Sequence, residues 1–166
     1  MRTSVLIASI AALPLAAMAR APQPAKPVPI GLYSGRWYEI ARTPNPRERG
    51  CKGVASDFSG MAGGAFAVIE TCQRASGRPK VSRTKATLVP ASGNAKFRMS
   101  LLGGLIHPEF WIVATASGGD WAIMGTPGGH YVWILSRKAA LPVGERAEVM
   151  AKAAALGYPT GRLEYD

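Results

Sequence analysis

The reactive side chains of this 166-residue chain are few: two histidines, His107 and His130, and two cysteines, Cys51 and Cys72. Each histidine sits beside a turn former, Pro108 or Gly129, with no cysteine or second histidine at metal-ligand spacing. A zinc centre is therefore not expected, and single axial ligation of haem by His107 is the most chemistry either offers. Neither a G-x-S-x-G nucleophile elbow nor a Walker-type phosphate loop occurs, and Gly103-Gly104 and Gly128-Gly129 read as turns. No catalytic set, metal site or cofactor is assigned. One acid stands in an unexpected place. In Gly35-Arg36-Trp37-Tyr38-Glu39-Ile40-Ala41-Arg42, period-two alternation turns Glu39 inward, where an unpaired carboxylate is costly.

The elements that must hold these residues begin after a leader. Met1-Arg2, an apolar run from Val5 to Ala17, and Ala17-Met18-Ala19 have the pattern of an export signal over 1–19, with 21 as the alternative end. The run is short for a membrane span and contains Pro14. No cysteine follows it to accept a lipid, so a soluble periplasmic or secreted protein is expected. Residues 20–29 then carry four prolines between Pro22 and Pro29 and read as an extended tether, with the folded domain over 30–166.

In an oxidising compartment two cysteines default to a disulfide; two free buried thiols are the alternative. The midpoint of 51 and 72 falls between Met61 and Ala62, inside the turn Ser59-Gly60-Met61-Ala62-Gly63-Gly64. A hairpin with that centre sets Cys51 opposite Cys72, and Val54, Ser56 and Phe58 opposite Ile69, Ala67 and Ala65. The second set is apolar and is predicted inward; the disulfide and Glu70 are then predicted outward.

From Trp37 to Ser136 the alternation breaks into eight runs: 36–42, 53–59, 65–72, 80–89, 95–102, 110–116, 121–125 and 131–137. With short links these predict an all-β, up-and-down antiparallel barrel of eight strands. Pro142 opens a helix whose apolar residues are Val143, Ala147, Met150, Ala151, Ala154 and Ala155, and Gly157 ends it. Val132 and Ile134 are apolar between Tyr131, Trp133 and Leu135, so the helix is expected to cover that strand from outside, through Met150 and Ala154. Phe97, Met99 and Leu101 are predicted inward. Small inward positions, Ser56, Ala65, Ala67, Ala86, Ala114 and Ala122, leave two readings: a void for an apolar ligand, or space filled by larger neighbours.

Charge narrows the partners. The formal balance is +10, and between Thr71 and Pro108 there are seven Lys or Arg and no acid. Arg83, Lys85, Lys96 and Arg98 are predicted to form a basic patch on the outer wall, either in peripheral contact with anionic lipid or simply solvated. Aromatic side chains do not alternate with these charges, and nucleic acid is excluded as a partner.

Gly35-Arg36-Trp37-Tyr38-Glu39-Ile40-Ala41-Arg42 with Thr43-Pro44-Asn45-Pro46, then Ala95–Met99, Trp121–Pro127 and Tyr131–Arg137, resemble the ordered blocks of the lipocalins, most closely the bacterial and apolipoprotein D-like branch. The resemblance implies that Trp37 plugs the closed end with Arg137 across its indole and Gly35 easing the chain past the floor. It also implies that Phe110, Ile112, Ala122 and Met124 face an internal cavity and that His107 lies near its mouth. The loop 116–120 lacks the T-D-Y triplet of many lipocalins.

The expected function is binding or transport of a small hydrophobic or amphipathic ligand, such as a fatty acid or lysophospholipid. Ser56, Phe58, Ala67, Ala86, Phe97, Met99, Phe110, Ile112, Met124, Tyr131 and Trp133 are the candidate lining, with Ser56 and the Tyr131 phenol orienting a polar group. The alternatives are an isomerase or peroxidase-like lipocalin enzyme, and a module that contacts the envelope lipid surface through the basic wall.

Overall fold

The period-two runs fold as eight antiparallel strands: β1 (Gly35–Arg42), β2 (Cys51–Ala62), β3 (Ala65–Arg74), β4 (Lys80–Leu88), β5 (Lys96–Ser100), β6 (Glu109–Thr115), β7 (Trp121–Gly125) and β8 (Val132–Ser136). This architecture is that of a computed structural model, which describes residues 22–24 and 26–166. The expected export signal, 1–19 or 1–21, lies outside the described residues. Each strand pairs with the next, and β1 pairs with both β2 and β8, so the sheet closes into a barrel. Helix α1 (Val143–Ala155) and a short strand β9 (Glu164–Tyr165) follow. β1 pairs with β2 only through Tyr38; beyond it β9 takes up the edge, with Ala41 opposite Tyr165 and Arg42 opposite Glu164.

The β2–β3 hairpin corrects one expectation. Ala62 pairs with Ala65 across Gly63-Gly64, both at positive φ (55° and 78°), as a two-residue type I′ turn requires. The turn centre therefore lies beyond Met61-Ala62, and Ser56 faces Glu70 while Phe58 faces Val68. From Ala55 to Ser59 the partner of each β2 residue moves by three positions, an odd number, which exchanges the faces of β3 there. Val68 and Glu70 point into the barrel. Ala67 is exposed on the outside, opposite Ser59 and Lys85.

Cys51 and Cys72 form the disulfide, with Cα atoms 5.2 Å apart. It is not outward as expected: the two cysteines are 2% and 1% exposed, in a small cluster with Val54. A register break between Lys52 and Ala55 bends β2 there. The chain end reaches the same corner, where the Asp166 carboxylate accepts the Val54 N–H at 2.7 Å and Lys52 Nζ donates to the Tyr165 carbonyl at 3.2 Å.

Two cores share the sheet. One fills the lower barrel with Tyr33, Trp37, Phe58, Phe66 and Phe97. The other lies between the barrel and α1, where Trp121, Ile123, Val132 and Ile134 meet Val149 and Ala153. The helix therefore covers the outer face of β8, as its doubled apolar pattern predicts. The contact stripe runs through Val149 and Ala153, with Met150 partly buried beside them, whereas Ala154 and Val143 are exposed. Alanines on several sides of the helix blur its period, and the bulkier Val149 settles which face packs. Ala114 also lies on this outer side, because a register break between Ile112 and Ala114 turns it out of the lumen. The fold starts before Ile30: Val28 is buried, donates to the Gly93 carbonyl at 2.7 Å and accepts from Asn94 Nδ2 at 3.2 Å. Proline restrains the tether without preventing these bonds.

Replacing both cysteines by alanine should lower the unfolding free energy by about 3 kcal/mol, through lost restraint on the unfolded chain. Urea unfolding followed by tryptophan fluorescence measures it, with the far-UV spectrum of the barrel unchanged.

Candidate ligand cavity

The lumen is divided into a packed floor and a hollow upper part. At the floor, Trp37 donates its Nε1–H to the Leu32 carbonyl at 2.9 Å, and the Arg137 guanidinium carbon lies 3.8 Å from the centre of the Trp37 ring. Arg137 Nη1 donates to the carbonyls of Ser34 at 2.7 Å and Arg36 at 3.0 Å, while Nη2 reaches Leu32 at 3.2 Å. A cation over an indole face with its N–H groups satisfied by carbonyls is a stable cap. Gly35 serves this cap through its φ of +68°; an added Cβ would meet only Arg137 Nη1, at 3.6 Å, so conformation and not a clash is its constraint. Beside Trp37, Tyr33, Phe58, Phe66 and Phe97 meet in tilted and edge-to-face pairs at centroid separations of 4.9 to 6.4 Å. Only a crevice of about 10 Å³ remains among them.

Higher up, the space opens into a cavity of about 400 Å³ with largely apolar walls. This lies within the range that holds small ligands. Phe58, Phe97, Met99, Phe110, Met124 and Trp133 supply the apolar wall. The loop between β1 and β2 folds over the mouth, so Asn45, Pro46, Arg47 and Glu48 also line it. Asn45 caps the turn Pro46–Glu48 by accepting from the backbone N–H groups of Arg47 and Glu48. Glu48 is thereby held inward, accepting from Trp133 Nε1 at 3.2 Å to each carboxylate oxygen and from Asn45 Nδ2.

One buried guanidinium organises the acids at this end. Arg42 is 2% exposed; its Nη1 donates to Glu39 at 2.6 Å and to Asp166 at 2.9 Å, and its Nη2 to the Cys51 carbonyl at 3.2 Å. Glu48 lies 3.4 Å from its Nε and Glu164 3.3 Å from its Nη2. Glu39 thus has the partner that its inward position demands. Burial and the negative charge of Glu48 nevertheless push its carboxyl up to about 9, against the pull of Arg42. Glu70 is raised for the same two reasons, opposed by Arg47, Lys80 and Arg42.

The lipocalin-like domain profile matches residues 28–166. The chain belongs to the lipocalin-like family. It is similar to outer membrane lipoprotein Blc of Vibrio cholerae, 26% identical over 148 residues that cover 87% of this chain and 86% of that one. The similarity to Blc of Escherichia coli strain K12 is 27% over 170 residues, covering 98% and 96%. Among solved structures, insecticyanin from the tobacco hornworm Manduca sexta shares the fold at a TM-score of 0.71 and 18% identity, over 87% of this chain and 82% of that one.

Of the lining residues expected in this lipocalin, Ser56, Phe58, Phe97, Met99, Phe110, Met124, Tyr131 and Trp133 line the cavity. Ile112 borders the floor crevice, and Ala86 is buried in the lower core without lining either space. Ala67 lies outside, for the register reason given above. Glu48 went unseen in the sequence because it sits in a loop without periodicity, whereas Glu70, predicted outward, is turned into the cavity by the register set at Gly63-Gly64. His107 is exposed on the mouth loop and His130 is exposed beside β8; neither lines the cavity. The outer basic patch is half occupied. Arg98 pairs with Glu109 at 2.9 Å, and Lys96 lies 4.2 Å from the Trp111 ring centre, leaving Arg83 and Lys85 exposed.

The folded chain holds the Glu39 proton up to about pH 9, whereas an ordinary glutamate releases it near 4.5. Folding therefore binds a proton between those values and loses stability as pH rises through them. Glu39→Gln keeps an acceptor for Arg42 and removes that dependence. The melting temperature of the variant minus that of the wild type should climb from about pH 5 to about pH 8; a flat difference in thermal melts would contradict the assignment.

Proposed function

We propose that this lipocalin is an envelope carrier that holds one single-chain amphiphile, of the fatty acid or lysophospholipid kind, with its acyl chain in the cavity. The observation that carries the reading is the hollow of about 400 Å³, sealed below by Trp37 and Arg137 and walled by aromatic and thioether side chains. Burial of an acyl chain there contributes about 0.8 kcal/mol per methylene, offset by its lost flexibility. The placement in the envelope is supported by the leader pattern of 1–19, by a disulfide that needs an oxidising compartment, and by similarity to proteins named outer membrane lipoproteins. Both cysteines of this chain are in the disulfide.

Exchange with a bilayer is supported by the loop between β5 and β6. It projects Leu102 and Leu105, 71% and 83% exposed, from the same end of the barrel as the cavity mouth. The outer basic wall supports a docking role less well, since Lys96 and Arg98 are engaged. The proposal is of binding without turnover, and the engaged state of Glu39 and Glu48 favours it.

Delipidated protein titrated with fatty acids and lysophospholipids should show a tryptophan fluorescence shift and calorimetric heat. Met99→Trp, which fills the lumen, should weaken binding by about tenfold or more. Absence of both signals from the wild type overturns the ligand class, and recovery of a chemically altered ligand overturns the binding-only reading.

A further inference from the structure

The polar groups around the cavity are of unequal sign. Glu39, which keeps its proton to about pH 9, Glu48 and Glu70 line it, and among the described residues Arg47 is the only cation that does. Arg42 does not line the cavity; its two terminal nitrogens are committed to Glu39, Asp166 and the Cys51 carbonyl. Arg47 is exposed at the rim, where water and salt screen its charge. Lys80 is turned to the Arg47 carbonyl at 3.0 Å. A chain with a large positive balance thus presents an acid-rich interior to its ligand.

Glu70 differs from the other two acids. Glu39 is held by Arg42, and Glu48 by Trp133, Asn45 and the Arg42 Nε 3.4 Å away. Among the described residues Glu70 has no hydrogen-bond donor, and its neighbours act on it only through charge. It stands on β3 between Ser56 of β2 and Ser82 of β4, half-buried against the cavity.

A second observation, independent of the acids, concerns the opposite wall. Tyr131 and Trp133 have ring centroids 6.1 Å apart, Trp133 and Phe110 5.7 Å, and Phe110 and Phe97 5.5 Å. All four line the cavity. The Trp133 Nε1–H is bonded to Glu48, which leaves the ring faces and not a donor for the ligand. Aromatic faces beside carboxylates are the surroundings that attract alkylammonium groups, through ring quadrupoles and charge together.

We infer that the cavity selects single-chain amphiphiles with an ammonium head group, primary or quaternary, over carboxylate-headed amphiphiles of the same chain length. The ammonium sits between the aromatic faces of Trp133 and Tyr131 and the carboxylates of Glu70 and Glu48. A carboxylate head placed there adds another negative charge to a half-buried acidic group, where like charges repel strongly. This inference rests on the carrier reading above and narrows its ligand to one head-group chemistry.

The test is calorimetric titration of the mature, delipidated chain at neutral pH with four dodecyl probes: dodecylamine, dodecyltrimethylammonium, dodecanol and dodecanoate. Both ammonium probes should bind about tenfold tighter than dodecanol, and dodecanoate more weakly than dodecanol. Glu70→Gln is nearly isosteric and removes no hydrogen bond. It should bring the ammonium probes close to dodecanol, and retained dodecanol binding reports that the lumen is intact. Dodecanoate binding as tightly as the ammonium probes, or an ammonium preference that survives Glu70→Gln undiminished, overturns the head-group assignment and leaves the carrier reading standing. Failure of all four probes, dodecanol included, overturns both.

Discussion

The stack of Arg137 on Trp37 is the contact on which the hollow barrel depends. An antiparallel barrel whose interior is not filled must be stoppered, or water passes through it and the apolar lining loses the benefit of burial. Arg137 follows the end of β8, Trp37 lies at the start of β1, and those two strands close the sheet. The guanidinium also ties down the carbonyls of Leu32, Ser34 and Arg36, so the turn entering the barrel is fixed across its base. Closure of the sheet and sealing of the floor are thus one structural event.

The two ends then diverge in chemistry. Below, five aromatic residues pack together beside a crevice of about 10 Å³. Above, β1 and β2 separate past Tyr38. The gap is closed by charge. Asp166 reaches in beside Arg42 and accepts the Val54 N–H left by the irregularity in β2. A buried guanidinium with several carboxylates gains little net stability once desolvation is counted. Its effect here is positional: it anchors the chain end and holds Glu39, while Trp133 and Asn45 hold Glu48 at the mouth.

Charge is segregated between outside and inside. The excess of Lys and Arg lies on the outer wall and rim, in water, where pairing with Glu109 or stacking on Trp111 has modest effect. The acids that line the cavity feel a lower dielectric, so fewer charges have larger consequences. The protein's overall charge therefore says little about the ligand; the local balance around Glu48, Glu70 and the aromatic wall says more.

By itself the sequence determined the barrel, its strand order, the disulfide partners, the outer helix and most of the apolar lining. The barrel and the helix follow from alternation and turn residues, which are local and repeat along the chain; the disulfide follows from there being two cysteines, and Phe110, Ile112 and Met124 from the resemblance to the lipocalins. The tertiary structure decided which face of β3 turns inward, because register depends on the two-residue turn at Gly63-Gly64, and an odd slip exchanges all side chains of a strand. It also decided that Val149 and not Ala154 meets the sheet, since an alanine-rich helix carries little directional signal. The acids at the mouth depended on it most. Glu48 is placed by a capped loop and Arg42 is matched with Asp166 across nearly the whole chain, and contacts between residues so distant in sequence leave no periodic trace.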